Sequence, residues 1–268
     1  MRYNAISPMS EINKADIGPP GKLKRERLKS WFSLALGAHL LEGEYFSLGK
    51  ILPELFGFHI LQIGALCERE FLEDSCISHK VLIQLQEELL SPAAALQCLA
   101  DNLPIMSDSI DVVVLPHSLE FLDSPHRLLR EIERILIGEG HLIIIGFNPW
   151  SLCGLWRLFL AWRDEPPWNG HFYGMARIKD WLSLLDFELI KTDKFFYRPP
   201  LQNDRIMLKL QFLEKLGKFF WPYFGSVQVI VAKKRVMPLT PIKLSRKDRR
   251  SVIASSGIAE PTTRNQKS

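Results

Sequence analysis

The stretch Leu103–Asn148, LPIMSDSIDVVVLPHSLEFLDSPHRLLREIERILIGEGHLIIIGFN, decides the fold. Asp111 opens an apolar run, Val112 to Leu115, that is too short for a helix and rich in β-branched residues, so it predicts a buried strand. Ser124 and Pro125 make a helix start, an N-cap residue followed by a proline at the first helical position. Leu128, Leu129, Ile132, Ile135 and Leu136 then recur at helical spacing, with Arg127, Arg130, Glu131 and Arg134 between them. Gly138 and Gly140 are expected to stop that helix, and Leu142 to Ile145 to form the next strand. A β-α-β unit of this kind implies a parallel sheet with its ligand beyond the strands' carboxyl ends.

Working outward, His59–Gly64, Lys80–Leu85 and Leu96–Leu99 read as three earlier strands. Trp31 to Leu52 reads as a helix covering the sheet, with Trp31, Leu34, Leu41, Leu48 and Leu52 inward. A helix from Ala176 to Leu185 leads to a strand near Phe187–Thr192, and Ser226–Ala232 makes the last strand. Asp186 stands at the turn between that helix and strand, and Asp tolerates the left-handed conformation better than most residues. Residues 1–30 are polar and contain PPGKLKRERLK, which reads as a mobile arm; 31–236 form the folded domain.

Within that domain, 195–224 is an insert dense in aromatic and basic residues. Its helical stretch NDRIMLKLQFLEKLGKFF offers Ile206, Leu208, Leu210, Phe212, Leu213 and Leu216 for packing. The first reading is a surface helix capping the sheet; the alternative is a substrate lid or an interfacial membrane helix. From Lys233 to Arg250 there are eight Lys/Arg against one Asp, so 237–268 reads as a basic, solvated tail. A nucleic-acid or anionic-membrane contact is the second reading of that run.

The bulk composition narrows the class. A chain of 268 residues that is 47% hydrophobic can build one α/β domain with a full core. Its net charge of +4 is modest. Cys67, Cys76, Cys98 and Cys153 form no CxxC pair and have no His partner at ligand spacing, which argues against a disulfide framework or a metal site. With no signal-peptide core and no apolar stretch of spanning length, the expected location is the cytoplasm.

The order LP-x(3)-D-S-x-D-V-V, then a His-x-Leu-Glu turn, LLREIERIL and GEGHLII resembles the class I S-adenosylmethionine-dependent methyltransferases. The nearest type is the type 11 group, which includes ubiquinone and menaquinone biosynthesis enzymes. The run WFSLALGAHLLEGE with LPELFGFHILQIG resembles a divergent bacterial branch of it. The resemblance implies a Rossmann-like α/β fold, a mostly parallel seven-stranded sheet with helices on both faces. It also implies S-adenosyl-L-methionine as cofactor, held in a glycine-rich loop after the first strand and by an acid at the end of the second.

Residue by residue, the resemblance assigns the cofactor edge to Gln62, Gly64, Ala65, Gln84, Leu99, Ala100, Asp101, Pro116 and His117. Several of these depart from the pattern. Gln62 stands where relatives carry an acid, Leu66 and Glu68 where they carry further glycines, and Gln84 where they carry the ribose-binding acid. Each lost charge-assisted hydrogen bond costs roughly 1.5–3 kcal/mol. His117, after the fourth strand, lies where relatives face the cofactor's methyl end and is the candidate general base, or else a residue hydrogen-bonded in the turn. Glu120 is expected to cap or pair at the following helix. Asn148-Pro149-Trp150 reads as a turn, with Trp150, Trp156 and Trp162 near the pocket, and His171, Phe172 and Tyr173 stand where relatives close over substrate.

The functional expectation is a methyltransferase acting on a small-molecule acceptor, lipophilic or aromatic. The alternative is a non-catalytic member of the fold, a binding or regulatory module. Nucleic-acid modification rests on the basic tail alone, and a dehydrogenase is disfavoured by the absence of GxGxxG.

Overall fold

Val112, Val113 and Val114 are wholly buried because their strand lies in the middle of the sheet. The computed structural model describes residues 28–64, 71–85, 96–160, 167–200, 209–210 and 212–236. Seven strands, β1 (His59–Ile63), β2 (His79–Leu85), β3 (Leu96–Cys98), β4 (Ile110–Pro116), β5 (Leu136–Phe147), β6 (Phe187–Phe195) and β7 (Val227–Lys234), make one sheet in the order 3-2-1-4-5-7-6. β1 to β5 pair in parallel, whereas β7 runs antiparallel between β5 and β6. Parallel pairing gathers the carboxyl ends of β1, β4 and β5 along one edge, where a ligand of such a sheet binds.

The sheet is covered on both faces, which is why its central strands read as continuous apolar runs. One face, with Ile60, Val112, Val114, Ile143, Val229 and Val231, packs under residues 28–52. The other, with Leu61, Val113, Leu142 and Ile144, packs against α2 (Pro125–Ile135) and α4 (Met175–Leu184). In α2 the residues Leu128, Leu129, Ile132 and Ile135 are completely buried, so the helical stripe read from the sequence is its core face. Its start is at Pro125, but Ser124 makes no side-chain cap; the Arg127 N–H instead donates to the Ser124 carbonyl at 3.1 Å.

Four local expectations are corrected. The helix ends at Ile135, ahead of Gly138 and Gly140, and β5 takes in both glycines; the left-handed residue is Glu139, at φ 68°. The leading helix is broken. A turn at Ser33–Leu34 separates a helical segment, 28–32, from α1 (Ala35–Ile51), and this rephases the helix. Leu34 is therefore exposed and Leu41 half-buried, while Leu36, Leu40, Leu48 and Ile51 face the core. Leu28 is fully buried, so the packed chain begins before residue 31. Asp186 does adopt the left-handed conformation, at φ 57°.

The insert forms α5 (Phe212–Phe220), and Ile206 and Leu208 lie outside the described residues. Phe212 and Leu216 face outward, so this stretch does not cap the sheet with its apolar stripe. It is held instead through Gly217 against Tyr197, and through Glu214, whose carboxylate accepts from Phe196 N at 3.2 Å and Arg198 Nε at 3.1 Å. Residues 237–268, and with them most of the basic tail, lie outside the described residues, as does the arm before Leu28.

Gly37 sets how closely the two parts of the leading helix approach. A Cβ there would overlap the Phe32 Cα and the Trp31 carbonyl. Overpacking of this kind costs about 1–3 kcal/mol. Gly37→Ala is expected to lower the urea midpoint at unchanged m-value; an unchanged midpoint would mean that 28–32 does not sit on α1 in this way.

Candidate active site

The carboxyl edge is built from backbone turns. β1 ends at Gly64, whose φ of 99° favours glycine and whose N–H donates to the Ile83 carbonyl at 2.8 Å. The Gln62 amide donates from Nε2 to the Gly64 carbonyl at 3.0 Å, bracing this turn. Its Oε1 is buried and has no hydrogen-bond partner among the described residues. Parallel register brings Gln84 on β2 next along the edge, fully buried. The Ser118 hydroxyl donates to the Ile63 carbonyl at 2.6 Å and so ties the end of β4 to the end of β1. Gln62, Gly64, Gln84, Pro116 and His117 thus come together.

Past β3, Leu99 is exposed and bridges Asn102, and Ala100 is half-buried. The Asp101 carboxylate is engaged by Arg127 at 3.2 Å. Ala65, Leu66 and Glu68 lie outside the described residues.

His117 closes β4 in an unusual way. Its φ is 48°, a conformation uncommon for a residue with a side chain, although His is enriched there. The turn drops the imidazole between two carboxylates. Nδ1 lies 2.9 Å from Glu120 Oε2, and Nε2 lies 2.9 Å from Glu44 Oε1, brought by α1 from 73 residues earlier. Side chains of His117 and Glu44 are completely buried and that of Glu120 nearly so. Burial alone would lower the histidine pKa, but the Glu44 and Glu120 charges and their hydrogen bonds more than reverse this and raise it to about 10. As the imidazolium, both ring nitrogens donate within the protein.

Glu120 accordingly does not pair with the following helix. Its Oε1 also accepts the Phe147 N–H, and its backbone carbonyl accepts the His171 N–H at 2.8 Å. The residue missed in the sequence is Glu44. Its signal was an acid in the middle of the stripe Leu36, Leu40, Glu44, Leu48.

Beyond the triad an aromatic layer shuts the edge. The His117 ring lies 4.3 Å from Phe147 and 5.4 Å from Phe32, centroid to centroid. Phe147 stacks on Phe172 at 5.0 Å, and Trp31 meets Phe32, Phe147 and Trp168 edge-on. Phe172 therefore belongs to the closed site, His171 faces outward and Tyr173 is half-buried. Trp150 and Trp156 face solvent instead of the pocket, and Trp162 lies outside the described residues. Asn148 does make the expected turn, donating from Nδ2 to the carbonyls of Tyr223 and Gly225 and accepting from Trp150 N. Among the described residues no cluster of three or more His, Cys, Asp or Glu is placed to hold a metal.

A parallel edge with a positive-φ glycine at its first strand is the frame of a nucleoside-cofactor site. The methyltransferase-domain family matches residues 72–144. The Escherichia coli (strain K12) protein YafS, described as uncharacterized, is 37% identical over 197 residues, which is 72% of this chain and 76% of that protein. A crystal structure from Thermotoga maritima, an S-adenosylmethionine-dependent methyltransferase described as a possible histamine N-methyltransferase, superposes with a TM-score of 0.51 at 18% identity, covering 71% of this chain and 89% of that one. An Archaeoglobus fulgidus S-adenosylmethionine-dependent methyltransferase gives 0.48 at 19% identity, covering 72% and 94%. The Thermotoga maritima structure shows the shared fold. The chain belongs to the methyltransferase-domain family, in the type 11 group, and the Thermotoga maritima protein of the same fold depends on S-adenosylmethionine.

The edge fits that cofactor at two points. Gly64 supplies the turn, and the buried Oε1 of Gln62, without a hydrogen-bond partner among the described residues, could accept from a donor such as the cofactor's ammonium.

Removing one member of a buried ion group costs about 3–5 kcal/mol, since a charge is left without its partner. Glu44→Ala should destabilise the protein on that scale in urea unfolding. The pH dependence follows from the raised histidine pKa. The contribution is complete below about pH 6.5, the ordinary His value, and is lost as pH rises toward about 10. His117→Asn should remove the decline in stability between those limits; a wild-type profile flat across this window would contradict the triad.

Proposed function

We propose that this protein transfers the cofactor's methyl group to a small lipophilic or aromatic acceptor. The observation that carries the reading is the layer of Trp31, Phe32, Phe147 and Phe172 over the ends of β4 and β5, where an acceptor must enter. A polar acceptor would surrender its hydration there without finding donors or acceptors among the rings. An apolar one exchanges ring for ring.

Bound S-adenosylmethionine supplies a methyl already activated on a sulfonium. The chain's own residues then have three tasks. Gln62 and Gly64, with Gln84, Leu99, Ala100, Asp101 and Pro116 along the edge, bind and orient the cofactor. The aromatic layer excludes water. His117 holds the wall in place. With both ring nitrogens occupied inside a buried triad, it serves as a positioning residue and leaves any acceptor proton to another base. Segment 28–32, set off from α1 by the turn at Ser33–Leu34, is the part of the layer best placed to open for an acceptor.

Among the described residues no helix is long and apolar enough to cross a membrane. The free Cys76, Cys98 and Cys153 support a cytoplasmic setting for the reaction.

Calorimetric titration with S-adenosylmethionine and S-adenosylhomocysteine should give saturable binding to the native chain and none to Gly64→Val, with the variant's circular dichroism unchanged. In a turnover screen read by S-adenosylhomocysteine release, apolar aromatic acceptors should be consumed and polar amines should not. Trp31→Ala should raise KM for those acceptors more than it lowers kcat. Binding without turnover of any acceptor class would favour a non-catalytic binding module. Turnover of polar amines alone would refute the acceptor class.

A further inference from the structure

Two helices at the carboxyl end of the sheet turn their apolar faces outward. In α3 (Leu152–Leu160), Leu152, Leu155, Trp156 and Phe159 recur at i, i+3, i+4 and i+7, the spacing of a core-facing stripe, yet all four are exposed and Phe159 is 74% exposed. In α5, Phe212, Leu216, Phe219 and Phe220 fall at i, i+4, i+7 and i+8, again one helical face, with Phe219 80% exposed, and the exposed Trp221 and Tyr223 follow the helix. The two stripes are neighbours. Leu152 joins Leu213, Leu216, Trp221 and Phe224 around one apolar cavity of about 280 Å³. The Asn148 amide, bonded to the Tyr223 and Gly225 carbonyls, locks the turn after β5 to the end of α5. Scattered exposed apolar residues are ordinary, whereas a continuous aromatic face marks a contact surface.

The charges around this face select its occupant. Among the described residues Arg157, Lys194, Arg198 and Lys218 border it, against Asp193 and Glu214. Glu214 is engaged by Arg198 at 3.1 Å, and Asp193 lies 3.8 Å from the exposed Lys218. Lys194 Nζ sits 5.5 Å from the Tyr223 ring centroid. With four cations against two acids, the described part of the rim is net cationic, and two of its cations are lysines, a residue depleted at protein–protein interfaces. A second copy would set cation against cation, and the chain's own 237–268 segment, itself basic, would be repelled likewise.

We propose that the α3–α5 face docks on an anionic lipid bilayer, its Phe and Trp side chains entering the headgroup boundary and its lysines meeting lipid phosphates. Docking places the carboxyl edge of the sheet next to the bilayer. It needs no methyl transfer, so it stands or falls separately from the acceptor assignment.

The test is sedimentation of the full chain with vesicles of phosphatidylcholine alone or of phosphatidylcholine with phosphatidylglycerol. Binding should require the anionic lipid and weaken in high salt. The triple variant F159S/F219S/F220S, monitored for folding by circular dichroism, should bind at least about tenfold more weakly. The variant R246Q/R249Q/R250Q, in the basic tail, should retain vesicle binding. No binding to either vesicle overturns the proposal, and so does binding that survives the aromatic substitutions or is lost only with the tail arginines. A dimer in light scattering that dissociates in the aromatic variant, without vesicle binding, would assign the face to a second copy instead.

Discussion

The buried Glu44–His117–Glu120 triad is the interaction on which the arrangement of the carboxyl edge depends. An imidazolium in the interior is tolerable only between carboxylates, and two carboxylates only with a cation between them. One comes from the leading helix, the histidine from the end of the central strand, and the other from the turn that follows it. Glu120 in turn holds the backbone of β5 at Phe147 and the loop at His171. Four separate parts of the chain are therefore referred to one charge, and the rings of Phe32, Phe147 and Phe172 follow from where those parts are held.

This arrangement separates two tasks that fall at the same strand ends. Toward β1 and β2 the edge is made of turns and uncharged amides, with an acceptor oxygen of Gln62 left over. Toward β4 and β5 it is closed by aromatic rings. Under the proposed function, a polar cofactor and an apolar acceptor would each meet a matching surface, with His117 at the boundary as a fixed post.

Much of this was legible in the sequence, for physical reasons that differ by element. The β4–α2–β5 unit declared itself because a strand buried on both faces must be continuously apolar and its crossover helix must be striped. The gathering of Gln62, Gly64, Gln84, Pro116 and His117 follows once the strands are known to be parallel. Glu44 escaped notice because its partner is 73 residues away and only the crossing of α1 over the sheet joins them. The phase of α1 does not follow from its stripe because a turn at Ser33–Leu34 resets the helical count, and neither residue of that turn is a glycine or proline. The stripes of α3 and α5 look the same as buried ones, since periodicity says which residues share a face and not what covers it.

The reversal of β7 has one more consequence. Lys233, Lys234 and Arg235 stand at its far end, paired with Glu139, Asp108, Glu133 and Glu188, while Lys194 lies across from Gln228 near its start and Lys218 reaches Asp193 beside it. From Gln228 to Lys233 the strand advances five residues, roughly 17 Å at the usual rise per residue. Counter-ions at physiological salt damp a surface charge over about 8 Å. The two basic ends are consequently nearly deaf to each other at physiological salt: titrating, modifying or neutralising one changes the potential at the other only weakly, and the strand works as an insulating spacer as much as a structural one.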